Sequence, residues 1–379
     1  MTVIAPPRTT ARPLAVRTVD HAAIARNVGR LRTAAGVPVM AVVKADAFGH
    51  GAVEVARTVL AAGAVWLGVA TIDEALALRA AGINEPIFAW LIDPWCDLTA
   101  AIAQGVTVSC ANLETLAAIR DAAAGLGQVA EIHLELDTGM ARGGSTAELW
   151  DGLCAAAVSE HVVHVGGIWS HLALAGRPGE RSIRGAIELF RRGVAAARRV
   201  GLEPRELHLA NSAATLEHPS ARLTMVRAGA AVYGIETVSG RRHGLEPALR
   251  LVSRVTQLRR VVGGTGVGYL HAYRTAAATS LALIPIGYGD GVPRALSDRG
   301  FVSIGGRRYP IRGTISMDQL VVEVDDRVRL GDEVVLLGDP DRGEPTAAEW
   351  AELAQTIPHE ILTGFGGRIA REHVGRTPA

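Results

Sequence analysis

A short apolar run followed by a helical period recurs through the first 238 residues. The runs are 37–43 (VPVMAVV), 66–70 (WLGVA), 86–90 (PIFAW), 106–110 (VTVSC), 131–136 (EIHLEL), 164–170 (HVGGIWS), 206–210 (ELHLA) and 223–229 (LTMVRAG). Runs this short and apolar read as strands buried on both faces. Helical segments such as AVEVARTVLAAG, TIDEALALRAAG, AELWDGLCAAAV and IRGAIELFRRGVAAARRVG fall between most of them. About eight successive βα units predict a closed parallel (β/α)8 barrel of the TIM type rather than an open sheet. After residue 240 the runs are β-rich and separated by Gly and Asp turns, and only PTAAEWAELAQ reads as a helix. The expected fold is an α/β barrel followed by a mostly β C-terminal domain. The expected division is 1–15 as an N-terminal segment joining the β domain, 16–238 as the barrel and 239–379 as the β domain.

Lys+Arg is 39 and Asp+Glu is 38, a net charge of +1. That balance argues against nucleic-acid binding as the main task. No window reads as a membrane span, and the first twelve residues do not read as a signal peptide. Cys96, Cys110 and Cys154 lack metal-ligand spacing and read as reduced cysteines, so no metal site is expected and the expected location is cytoplasmic.

Of the 39 basic residues, one is lysine, Lys44. On a solvated face the two cations are nearly equivalent. A site that keeps lysine needs an amine able to deprotonate near neutral pH and attack a carbonyl. Lys44 directly follows an apolar run, at the end of a predicted strand. In a βα barrel such ends share one mouth, and Arg142, His171, Asn211 and Arg227 fall at others.

AVVKADAFGHG (41–51) resembles the cofactor-lysine signature of bacterial alanine racemases, barrel-type pyridoxal-phosphate enzymes. Further similar motifs follow in order: ELDTGMARGG (135–144), GIWSHLALA (167–175), HLANSAATL (208–216), MVRAGAAVYG (225–234), GVGYLHAYRT (266–275), PIGYGDGVPR (285–294) and ISMDQ (315–319). The resemblance covers nearly the whole chain. It implies pyridoxal 5'-phosphate as cofactor, a small amino acid as substrate and a homodimer with shared active sites.

The resemblance implies a role for each matching residue. Lys44 holds the cofactor covalently and is one catalytic base; Tyr269, from the partner subunit, is the other, with Tyr273 its local competitor. His171 supports the cofactor ring and polarises the tyrosine. Arg227 faces the pyridine nitrogen; a guanidinium there stays charged and disfavours a proton on that nitrogen. Ser212 and the amides of Gly229 and Ala230 grip the phosphate, with Asn211 beside the serine. Arg142 contacts the phenolic oxygen and the substrate carboxylate. Met317 binds that carboxylate through its amide, with Asp318 adjoining it and Tyr288 at the substrate. Many members hold the arginine with a carbamylated lysine; here that position is Glu135, whose carboxylate can supply the same charge.

Four positions depart from the family pattern. Phe48 replaces a tyrosine directed at the phosphate, and His359 replaces another near the phosphate and gate. Gly176 and Thr314 replace a charged gate pair in the substrate corridor. Proton-transfer residues match while entrance residues do not. The readings are racemisation of alanine, racemisation of another amino acid through an altered entrance, and a non-catalytic cofactor carrier. The full β domain and Tyr269 argue against the carrier.

Overall fold

The computed structural model describes residues 13–177 and 181–375. Residues 1–12 of the expected N-terminal segment lie outside the described residues. Strand β1 (Val16–Asp20) precedes the helix His21–Ala35. The barrel strands follow: β2 (Val39–Val42), β3 (Trp66–Val69), β4 (Ile87–Ala89), β5 (Thr107–Cys110), β6 (Ala130–Glu135), β7 (Val163–Trp169), β8 (Glu206–His208) and β9 (Val226–Ala228). Each coincides with one of the eight apolar runs, with β6 and β7 each beginning one residue early.

All eight pair in parallel, in the order β8-β7-β6-β5-β4-β3-β2-β9. A parallel bridge between His208 and Met225 brings the two ends together and closes the barrel. Met40, Phe88, Trp169 and Met225 form a core cluster, with Trp66 and Trp90 packed against it. Helices lie between successive strands, as a crossover requires.

The described residues divide into two compact units, one of Asp20–Ala248 with Gly375, the other of residues 13–19 with Leu249–Val374. Strand β1 belongs to the second unit, pairing antiparallel with β10 (Leu249–Arg254). The barrel therefore begins with its first helix rather than at residue 16, and it runs on to Ala248. A strand directly followed by a helix looks like a βα unit in sequence, which hides this exchange.

The second unit is a nine-stranded sheet. Its further strands are β11 (Gln257–Val261), β14 (Thr279–Ile284), β15 (Phe301–Ile304), β16 (Arg307–Arg312), β17 (Leu320–Val324), β18 (Glu333–Leu337) and β19 (Ala370–Val374). A separate antiparallel ribbon pairs β12 (Gly266–Val267) with β13 (Tyr273–Arg274). Beside the expected helix (Ala347–Ala354), a second short helix, Pro358–Thr363, carries His359. Among the described residues no helix is long and apolar enough to cross a membrane.

Candidate active site

Lys44 leaves β2 into a left-handed turn: Ala45, Asp46, Ala47 and Phe48 have φ between 52 and 55°. Each costs an L-residue about 1–2 kcal/mol, so the turn needs support. Backbone bonds supply part of it: Ala47 N donates to Val43 O (2.9 Å), Gly49 N to Ala45 O (3.0 Å) and Gly51 N to Asp46 O (2.9 Å). Glu74 supplies the rest from the next βα unit. Its carboxylate accepts from Ala45 N at 2.6 Å and from Ala70 N at 2.8 Å. The Lys44 amine makes no hydrogen bond or ion pair among the described residues. Its Nζ lies 5.5 Å from the Trp90 ring centroid. Burial lowers its pKa; Arg142 and Arg227 push the same way and Glu74 opposes them.

Arg227, on β9, is buried. Its NH1 donates to His208 O (2.6 Å) and His208 Nδ1 (3.1 Å). NH2 donates to Ser170 O (2.7 Å) and His171 Nδ1 (3.3 Å). A guanidinium only donates, so both imidazoles accept at Nδ1 and carry their proton on Nε2. His208 Nε2 then donates to His133 Nδ1 at 2.8 Å. Burial, with Arg227 next, holds the His171 pKa at about 3. Burial lowers Arg227 to about 10 against the pull of Glu135, so it stays cationic at neutral pH.

Arg142 sits on a self-bonded loop. Asp137 Oδ1 accepts from Gly139 N and Met140 N, both at 2.9 Å. Ser145 N returns to Glu135 O at 2.8 Å. Gly144 has φ 92°, and a Cβ there would lie 2.6 Å from Asp137 N, so the turn requires glycine. The Glu135 carboxylate lies against Gly143: a Cβ on that glycine would be 3.2 Å from Oε1. Burial raises the Glu135 pKa to about 7, opposed by Arg227 and then Arg142.

Asn211 caps the helix Ser212–Glu217, accepting from Ala214 N at 3.1 Å, and its amide reaches Leu172 O at 3.3 Å. Ser212 Oγ accepts from Gly229 N (3.1 Å) and Ala231 N (3.2 Å), which leaves its own hydrogen to donate. Ala230 begins the adjoining 3-10 turn. Phe48 stacks on Tyr233 at 4.6 Å, while the Tyr233 hydroxyl donates to Val42 O at 2.8 Å. Gly176 is fixed by packing: a Cβ there would be 2.3 Å from Thr237 O. An acidic side chain at 176 therefore requires the backbone at 237 to move. Among the described barrel residues, Lys44, Arg142, His171, Asn211, Ser212, Arg227, Gly229 and Ala230 all lie at the C-terminal ends of strands or just beyond them. Trp90, Glu74 and His208 belong with them and carry no signature that sequence reasoning could use.

In the β unit, Tyr269 opens the turn at the tip of the two-stranded ribbon and is 69% exposed. Leu270 and His271 after it have φ 59° and 46°. Tyr273 is engaged instead: its hydroxyl donates to Glu323 at 2.9 Å, and Arg312 lies 4.5 Å from its ring. The ribbon backbone at Gly268 packs on Thr314. Gly289 N donates to Met317 O (2.8 Å) and Tyr288 N to Ser316 O (3.1 Å), joining those two segments. Asp318 pairs with Arg368 at 2.5 Å, and Arg368 also reaches Asp290 at 2.9 Å.

Residues 19–237 match the family described as alanine racemase, N-terminal domain, and residues 248–373 match its C-terminal domain. A curated alanine racemase of Salinispora arenicola is 44% identical over 365 residues, 95% of this chain and 98% of that protein. The crystal structure of alanine racemase from D-cycloserine producing Streptomyces lavendulae is similar with a TM-score of 0.94 at 43% identity, covering 97% of this chain and 98% of that one. The alanine racemase from Bartonella henselae, solved with covalently bound pyridoxal phosphate, is similar with a TM-score of 0.88 at 29% identity, covering 96% and 100%.

Proposed function

The chain belongs to the alanine racemase family, and we propose that it interconverts L- and D-alanine with pyridoxal 5'-phosphate. The observation that carries this is the Lys44 amine, lowered in pKa and without a hydrogen bond among the described residues, at the mouth with Arg227 and Ser212. That donor set fits the cofactor: an amine for its aldehyde, a hydroxyl hydrogen for its phosphate, and a permanent cation for its ring nitrogen. When bound, pyridoxal phosphate acidifies the amino acid's Cα–H by drawing charge into its ring.

The chain's own residues do the rest. Lys44 binds the cofactor and, once released by substrate, moves a proton at Cα on one face. Racemisation needs a second base on the other face. We assign that to Tyr269 of a second copy, which its exposed ribbon tip supports. Ser212, with the amides at Gly229 and Ala230, holds the phosphate; Asn211 orients that serine by capping its helix. The family resemblance assigns Phe48 and His359 to the phosphate; of the two, only His359 has a group that can donate. Arg227 keeps the ring nitrogen unprotonated, and His171, neutral, presents its Nε2 proton. Arg142 orients the substrate carboxylate, and we assign the Met317 amide, with Asp318 and Tyr288 beside it, to the same task from a second copy. Glu135 supplies the negative charge behind Arg142.

The test is incubation of cofactor-loaded protein in heavy water with a panel of L- and D-amino acids, followed by proton NMR and chiral analysis. The expected result is loss of the α-proton signal with racemisation, strongest for alanine. Exchange confined to another amino acid replaces the substrate; no exchange with any removes the reading.

A further inference from the structure

The backbone ends of β2, β3 and β4 are knitted together beneath Lys44. Glu74 bonds Ala45 N and Ala70 N, and Leu91 N donates to Ala70 O at 2.7 Å. This fixes the start of the Lys44 turn against the residue following Trp90. Gly68 leaves room for the indole: a Cβ there would meet Trp90 Cζ3 at 3.0 Å. The ring is backed by Phe88 and Trp169, at 6.1 and 6.5 Å between centroids. Lys44 Nζ lies over its face.

We propose that the indole face of Trp90 is the seat of the Lys44 ammonium, making Trp90 a positioning residue for the proton-carrying form of the catalytic lysine. An aromatic face attracts a cation through its quadrupole, most strongly for Trp and most strongly when desolvated. The charged groups acting on the same amine are Arg142 and Arg227, which disfavour its charge, and Glu74, which favours it. The Glu74 carboxylate is already bonded to backbone amides, while the ring face lies 5.5 Å from the amine. When Lys44 takes a proton from Cα, the ammonium formed has this face to rest on. That catalytic half rests on the racemase reading; the electrostatic half does not.

The chain's single lysine makes the test direct. Full-length protein carrying ε-13C-lysine and stripped of cofactor gives one lysine side-chain signal, whose pH titration reports Lys44. Replacing tryptophan with fluorotryptophans of rising fluorine content weakens the ring face while nearly keeping its shape. The expected result is a stepwise fall in the Lys44 pKa, reaching roughly half a pH unit or more, that vanishes in a Trp90→Leu background. A flat series, or an equal fall in Trp90→Leu, overturns the proposal. In loaded protein the same series should raise the substrate-deuterium isotope effect for one alanine enantiomer and not the other. Equal changes for both overturn the catalytic half. A titration shift in a protein that racemises nothing keeps the seat and removes the racemase reading.

Discussion

Arg227 donates to His208 Nδ1 at 3.1 Å, and that bond dictates the protonation of a buried imidazole pair. His208 must present Nε2–H to His133, so neither ring competes for the guanidinium charge. Burial and the neighbouring cation hold both rings neutral. His208→Leu should leave Arg227 with an unmet buried donor and cost roughly 1–3 kcal/mol in urea unfolding. It should also weaken cofactor retention on dialysis; unchanged stability and retention would contradict the role given to this bond.

Glu135 carries a pH signature. Its folded pKa is about 7, raised from 4.5 chiefly by burial. Between these values the folded state binds the extra proton, so stability falls as pH rises. The contribution is fully present below about 4.5 and lost by about 7. Glu135→Gln should flatten that part of the stability curve. It should also remove an ionisation near 7 from the kcat/KM profile and lower activity about tenfold. A wild-type-like profile in the variant would show that another group titrates.

His243 works in the same sense, in a higher pH window. Burial lowers its pKa, but hydrogen bonds that its ring donates to Glu217 (2.7 Å) and Glu236 (2.8 Å) overcome this and raise it. The bridge is therefore fully stabilising below the unfolded imidazole value and lost as pH rises through the folded one. His243→Leu should lower the melting temperature at pH 6 by an amount equivalent to about 1 kcal/mol. The difference should shrink above pH 8; a gap independent of pH would assign it to packing.

Tyr269→Phe should reduce racemisation by about 10²–10⁴-fold. Lys44 remains, so α-proton exchange in heavy water should persist for one enantiomer without inversion. Loss of exchange for both enantiomers would show that Tyr269 is needed for more than its own proton step.

Much of the barrel was legible because strands buried on both faces leave continuous apolar runs. Lys44 was legible because one amine among arginines demands a reason. The left-handed turn after it was not, since Ala45, Ala47 and Phe48 have no preference for positive φ, and Glu74 imposes it from another unit. Strand β1 read as part of the barrel because a helix follows it. Strand β19 went unread: AREHV is charged, which an edge position tolerates. The helix carrying His359 is too short for a period to show. Trp90 looked like the end of a strand and nothing more, because its partner is set by tertiary folding.

Gly176 constrains any redesign of the entrance. Its backbone is pressed against Thr237, and its carbonyl accepts from Ser239 N at 3.0 Å. A single substitution restoring an acid at 176 thus meets a collision before it meets any substrate. The 237–239 segment must change first. The order in which an acid at 176 and a shift of that segment can be introduced is set by the packing of one glycine.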